Sequence, residues 1–306
     1  GSTFKLMALV AAFEDQVVDT TSVFDTQNGE LTFYSKYKVR DSRKGGYGKI
    51  PITEIFERSS NTGMVQAIYD QYKSKPEQFV NRLMNMGLSE PLGLPIVGEG
   101  KPLIPHPDKK GWSGISLPWM AYGYGVLLTP MQTLTFYNAI ANDGVMVKPR
   151  FIERTQDARS KMKRKSDVEI ISASVCSKET IGKVKSLLKG VVEKPWGTAH
   201  NIYDPNFAIA GKTGTCQLDY NTDEVQYVAS FVGYFPSDRP KYSCIVVVHR
   251  PNKEKGYFGS TVAAPVFQKI AHKLYSSIPV ETKLSRERYL EITQRKMETS
   301  KGVVDA

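Results

Sequence analysis

Two stretches of this chain carry residue types whose spacing could support nucleophilic chemistry. Ser2 and Lys5 stand three apart at the head of an apolar segment over residues 2–14, and on a helix that spacing puts both side chains on one face of the first turn. A serine there, as N-cap or first-turn residue, sits at the positive end of the helix. Burial disfavours the ammonium form of the lysine and leaves a neutral amine able to take the serine proton. Far along the chain, residues 207–216 (FAIAGKTGTC) read as an apolar strand delivering a polar edge, with one cation, Lys212, and the hydroxyls of Thr213 and Thr215. Glycines at 211 and 214 remove side chains on both sides of Lys212, so an extended peptide could pair with this edge. A phosphate loop also ends in Gly-Lys-Thr, but its first glycine would fall at Asn206, so the turn that wraps phosphate is absent.

A serine three residues before a lysine is a weak signal by itself, because Ser35 with Lys38, Ser160 with Lys163 and Ser186 with Lys189 satisfy it too. Context separates them. Ser35 lies in a predicted strand, Ser160 in a basic turn and Ser186 within an amphipathic helix, whereas Ser2 opens a helix apolar on nearly every side.

The elements that must position these residues follow from punctuation and periodicity. Residues 17–49 are turn-rich, with Asn28-Gly29 between β-prone stretches and glycines at 45, 46 and 48. Pro51 and Thr53 open a helix through Phe56 that breaks at residues 59–63, and further helices are expected over 64–72 and from Pro76 to near Gly87. Residues 88–120 hold six prolines together with Trp112 and Trp119, so a long irregular segment of the kind that lies across a cleft is expected. Thr129-Pro130-Met131-Gln132 is a capping box with proline at the first helical position, and that helix should stop at Asn142-Asp143-Gly144. Residues 146–153 and 168–171 are expected to form a hairpin whose turn holds the basic cluster Lys161, Lys163, Arg164 and Lys165. Ser177 opens a helix with Ile181, Val184, Leu187, Leu188 and Val191 on one face. Strands over 226–235 and 242–249 complete an antiparallel meander with the lysine-bearing strand, and residues 263–275 form a closing helix.

The composition narrows the function classes. A chain of 306 residues with 41% apolar content can bury a large core. The net charge of +10 is spread along the chain, and its one dense cluster reads as a solvated turn, so no nucleic-acid partner is expected. Three cysteines, Cys176, Cys216 and Cys244, make no disulfide framework, and no pair has metal-ligand spacing. The histidines lack a G-x-S-x-G elbow, which disfavours a Ser-His-Asp hydrolase. No apolar run is long enough to span a bilayer, and no signal peptide opens the chain.

Ser2-Thr3-Phe4-Lys5, Ser59-Ser60-Asn61 and Lys212-Thr213-Gly214-Thr215, in that order, resemble the three motifs of the penicillin-recognising serine enzymes. The intervals, about sixty and then about one hundred and fifty residues, are similar to those of the transpeptidase domain of class B high-molecular-weight penicillin-binding proteins. Residues 122–132 (YGYGVLLTPMQ), 197–199 (GTA) and 229–236 (ASFVGYFP) extend the similarity over most of 1–275. The resemblance implies an α+β fold, an antiparallel sheet flanked by helices with an associated helical subdomain. It implies a domain over 1–275 that lacks the family's N-terminal strands, followed by a charged tail or linker over 276–306. It also implies acyl transfer: Ser2 attacks the penultimate D-Ala carbonyl of a peptidoglycan stem peptide and Lys5 is the general base. Ser59 relays a proton to the leaving nitrogen, and Asn61 bonds Lys5 or the substrate amide. Lys212, Thr213 and Thr215 hold the terminal carboxylate across Gly214, with the N–H groups of Ser2 and Thr215 as oxyanion hole. No cofactor or metal is implied. The implied partners are stem peptides, β-lactam antibiotics and other cell-wall synthesis proteins. The implied place is extracytoplasmic, on the periplasmic face of the bacterial inner membrane, with an anchor in the parent protein that is absent here.

Two rivals stand beside a transpeptidase. A serine β-lactamase would need a deacylating carboxylate, and no Glu-x-x-Leu-Asn segment supplies one. A β-lactam sensor would keep Ser2, Lys5 and Lys212 but cross-link nothing.

Overall fold

A 3₁₀ turn (Ser2–Phe4) runs directly into α1 (Lys5–Glu14), and every residue from Phe4 to Phe13 is buried. A helix apolar all round belongs in a core, and α1 packs against helices of the N-terminal half and the long helix after residue 177. The computed structural model describes residues 1–218 and 225–276. By contacts the chain divides into Gly1–Lys269 and Ile270–Ala306; of the second unit only residues 270–276, the end of the last helix, are described. The expected tail from 277 onward lies outside the described residues.

The turn-rich segment forms two small antiparallel pairs: β1 (Val23–Asp25) with β4 (Lys49–Pro51), and the hairpin β2 (Glu30–Phe33) with β3 (Tyr37–Arg40). Then come α2 (Ile52–Glu57), α3 (Asn61–Tyr72) and α4 (Pro76–Asn85). The helix expected from residue 64 therefore begins three residues sooner. Ser60 is its N-cap, accepting the Gly63 N–H at 3.0 Å, so the break is confined to residues 58–60. The proline-rich segment is irregular apart from α5 (Ser116–Met120) and an isolated bridge between Leu103 and Leu127.

The capping box forms as expected at α6 (Pro130–Ala141), with Thr129 and Gln132 satisfying each other's backbone N–H groups. Beyond it the expected hairpin is divided. β5 (Met146–Val147) pairs with β8 (Ile170–Ser172), and inside them β6 (Arg154–Gln156) pairs with β7 (Lys163–Lys165). Lys163, Arg164 and Lys165 thus lie on a strand rather than in the turn; as an exposed strand they alternate to either side and separate their like charges. Next is α7 (Lys178–Glu193), capped by Ser177.

The main sheet is the expected meander: β9 (Ala210–Leu218), β10 (Gln226–Phe235) and β11 (Tyr242–His249), antiparallel in the order β11-β10-β9. It is closed by α8 (Gly259–Val262) and α9 (Ala264–Ser276), with Phe267 edge-on to Phe231 at 4.8 Å. β9 is an outer strand, which leaves it an edge. Its glycines serve the interior, however: a Cβ on Gly211 would lie 2.6 Å from Phe231 Cζ, and one on Gly214 would lie 3.0 Å from Thr3 Cγ2. Close packing of the sheet onto the Ser2–Phe4 turn and the Phe231 ring requires them. The fold is α+β, an antiparallel sheet flanked by helices with a helical part beside it.

Candidate active site

Lys5 is fully buried, and its amine is spent on the hinge between α2 and α3. Nζ donates to Ser59 O at 2.7 Å, Ser59 Oγ at 3.2 Å and Asn61 Oδ1 at 2.6 Å. The hinge has a specific backbone cause. Ser59 N–H bonds Phe56 O at 3.0 Å and Ser60 N–H bonds Ile55 O at 2.9 Å, the paired bonds of a Schellman helix end. Such an end puts its C′ residue in the left-handed region, usually as glycine, and here a serine sits there at φ 59°. A left-handed serine costs about 1–2 kcal/mol. Its side chain places a hydroxyl where the chain reverses.

Asn61 is fixed from the opposite side. Its Nδ2 donates to Arg40 O at 2.7 Å, which fixes its Oδ1 toward Lys5. Asp41, at the end of the β2–β3 hairpin, accepts from Asn61 N at 2.5 Å and Thr62 N at 3.0 Å with one oxygen. Its other oxygen accepts from Ser60 Oγ at 2.9 Å and Thr62 Oγ1 at 2.8 Å. A carboxylate at the N-terminus of α3 is favoured by the exposed amides and the helix dipole together. Asp41 was not among the site residues read from the sequence, because nothing local marks it as the partner of a helix start twenty residues away.

Lys212 meets the same hinge from β9. It too is fully buried. Its Nζ donates to Ser59 Oγ at 2.8 Å and to Thr213 O at 3.1 Å. Burial lowers the Lys5 amine from its ordinary 10.5 to about 7, against the opposing charge of Asp41. Burial first, and the Lys5 charge second, hold Lys212 well below the ordinary amine range. Two buried amines on one hydroxyl repel when both are charged, so the cluster favours a neutral amine and can accept a proton near pH 7.

The structure therefore gathers Lys5, Ser59, Asn61, Lys212 and Thr213 into one hydrogen-bonded cluster. Thr213 Oγ1 also lies 2.8 Å from Thr198 Oγ1, a residue of the GTA segment that sequence similarity marked without a site role. Thr215 Oγ1 accepts the Gly259 N–H at 3.1 Å. Ser2 is half-buried in the turn that packs on β9 beside Gly214, and Tyr137 Oη holds this turn by donating to Thr3 O at 2.9 Å. Ser2 does not cap the helix, and its hydroxyl bonds no described residue. The expected meeting of Ser2 with Lys5 is thus no hydrogen bond, because the amine is engaged by Ser59 and Asn61. Among the described residues no group of three His, Cys, Asp or Glu could hold a metal ion, and no helix is long and apolar enough to cross a membrane.

A buried lysine, a serine and asparagine on one hinge, and a lysine-threonine strand across from them form one hydrogen-bonded cluster on an α+β fold. The sequence profile described as penicillin binding protein transpeptidase domain matches residues 1–272, and the chain belongs to that family. Stage V sporulation protein D of Bacillus subtilis is 30% identical over 270 residues, covering 87% of this chain and 40% of the relative. The peptidoglycan D,D-transpeptidase FtsI of Buchnera aphidicola is 28% identical over 276 residues, 90% of this chain and 45% of the relative. Penicillin binding protein 3 of Mycobacterium tuberculosis, solved in complex with aztreonam, superposes with a TM-score of 0.77 at 28% identity, covering 92% of this chain and 62% of that one. The chain spans less than half the length of these two curated relatives.

Proposed function

We propose that this chain is the catalytic domain, over residues 1–275, of a peptidoglycan D,D-transpeptidase that β-lactams acylate. The observation that carries the reading is the shared Ser59 hydroxyl, within hydrogen-bond reach of both Lys5 and Lys212. Ser2 Oγ attacks the carbonyl carbon of the penultimate D-Ala, and its proton passes to neutral Lys5. Lys5 and Ser59 return that proton to the nitrogen as the C–N bond breaks and D-Ala leaves. Asn61 holds Lys5, and Lys212 with Thr213 and Thr215 meets the substrate carboxylate beside Gly214. The N–H groups of Ser2 and Thr215 receive the oxyanion, each worth about 3 kcal/mol in such sites. An acceptor amine then attacks the ester and restores Ser2.

Relatives named as D,D-transpeptidases and a structural neighbour solved with aztreonam support this reading. A hydrolase is disfavoured because, among the described residues, the two carboxylates bonded to site segments are committed, Asp41 to the start of α3 and Glu57 to Trp196. The proposed setting is extracytoplasmic, on the periplasmic face of the inner membrane, with a membrane anchor elsewhere in the parent protein and other cell-wall synthesis proteins as partners.

The test is labelled penicillin with the full-length protein, followed by intact mass and peptide mapping. A stable adduct on Ser2 is expected, outlasting an enzymatic turnover of about 0.1 s by orders of magnitude. An adduct on another serine overturns the assignment, and rapid release of hydrolysed drug moves the protein to the β-lactamases. Formation of cross-linked stem peptides separates a transpeptidase from a sensor.

A further inference from the structure

Glu57 is a buried carboxylate for which the acyl-transfer steps have no use. It closes α2 two residues before Ser59 and is 6% exposed. Its Oε2 accepts the Trp196 indole N–H at 2.6 Å, and its main-chain oxygen accepts the Thr198 N–H at 3.0 Å. One residue thus grips the 195–199 loop twice, by side chain and by backbone. The far side of the carboxylate is walled by Gly190 of α7, where any Cβ would collide with Oε1. Trp196 is held from outside as well, with the Arg58 guanidinium 5.6 Å and the Lys194 amine 5.8 Å from its ring.

The gripped loop leads straight to the site. Thr198 Oγ1 lies 2.8 Å from Thr213 Oγ1, and Thr213 O accepts from Lys212 Nζ at 3.1 Å. Lys212 in turn holds Ser59 Oγ. α2 therefore reaches the site by two routes, forward through Ser59 and sideways through Glu57, Thr198 and Thr213, and the routes close into a ring. For stability alone the choice is poor. Burying a carboxylate is costly unless it is well paired, and among the described residues its side chain has a single neutral donor, Trp196. A methionine of similar length would fill the same space without that cost.

We infer that Glu57 is a positioning residue: by clasping Trp196 and Thr198 it fixes Thr198 against Thr213, and so fixes the direction in which Thr213 and Lys212 meet the substrate carboxylate. The inference rests on the acyl-transfer reading proposed above.

The test uses the full-length protein and a fluorescent penicillin, whose carboxylate engages this side of the site, with the second-order acylation rate and Tm measured together. Glu57→Gln keeps an acceptor for the indole and should acylate at the wild-type rate. Glu57→Met, Trp196→Phe and Thr198→Val should each slow acylation about tenfold, the equivalent of one lost hydrogen bond to a positioned group. Glu57→Met combined with Thr198→Val should be no slower than the worse single variant, because both interrupt the same route from α2 to Thr213. Multiplied effects in the double variant, or a lowered Tm with normal acylation of the folded protein, would make Glu57 a structural residue and overturn the inference. Trp196→Phe keeps the aromatic packing and serves if Glu57→Met does not fold. Failure of the acyl-transfer reading looks different: the wild-type protein itself would then give no adduct on Ser2.

Discussion

Lys5 Nζ and Lys212 Nζ both donate to the hydroxyl of Ser59, at 3.2 and 2.8 Å, although the two lysines lie on α1 and β9. Ser59 stands left-handed in the hinge that makes this possible. The hydroxyl and the backbone conformation at this position can be tested apart. Ser59→Ala and Ser59→Gly both remove the oxygen and should slow penicillin acylation by about 10²- to 10⁴-fold. They should differ in stability, with the glycine variant ahead of the alanine variant by about 1 kcal/mol, because only glycine adopts this φ without strain. Equal denaturation midpoints would show that the helix end is not under strain.

The lowered Lys5 amine predicts a pH profile. Acylation should rise with pH and level off above about 7, where the amine becomes the neutral base. A flat profile between about pH 5.5 and 8 would remove Lys5 as the base. Stability follows the same group. The unfolded chain holds the Lys5 proton up to about 10.5, the folded chain only to about 7. Between these values the unfolded state binds more protons, so stability rises with pH, while below about 7 the whole burial cost remains. Lys212 is shifted in the same direction and adds to the rise. Lys5→Met should flatten the slope of Tm against pH across this window.

Asp41→Asn separates the hydrogen bonds of the carboxylate from its charge. The amide cannot accept at both positions from Asn61 N, Thr62 N and the Ser60 and Thr62 hydroxyls, so stability should fall by about 1–3 kcal/mol. The charge of Asp41 raises the Lys5 amine. Its loss should therefore move the rising limb of the acylation profile to lower pH, and a shift to higher pH would contradict the electrostatic account.

Gly259→Ala probes how closely α8 sits on the outer strand. A Cβ there would lie 2.5 Å from Gly214 O and would also meet Ser230 O, both backbone atoms that cannot rotate away. Overpacking of this kind costs about 1–3 kcal/mol, and it should also part the Gly259 N–H from Thr215 Oγ1. A lower Tm together with slower acylation is expected. Unchanged values in both would mean that α8 moves freely over β9.

What the sequence determined by itself is local chemistry. The Thr129–Gln132 capping box, Ser177 as an N-cap, the β9–β11 meander and the buried α1 are set by residues within a turn or a strand of one another, and all are present. The order of Ser2, Lys5, Ser59, Asn61, Lys212 and Thr213 was legible for the same reason, since each motif is a few residues long. Tertiary structure decided what those residues touch. Lys212 bonds Ser59 across 153 positions, Asn61 bonds Asp41 across 20 and Trp196 bonds Glu57 across 139. No propensity reports such pairings, because they exist only once burial brings separate elements together and each buried polar group must find a partner where it lands. That requirement set Lys212 against Ser59 and made Asp41 and Glu57 part of the site's surroundings.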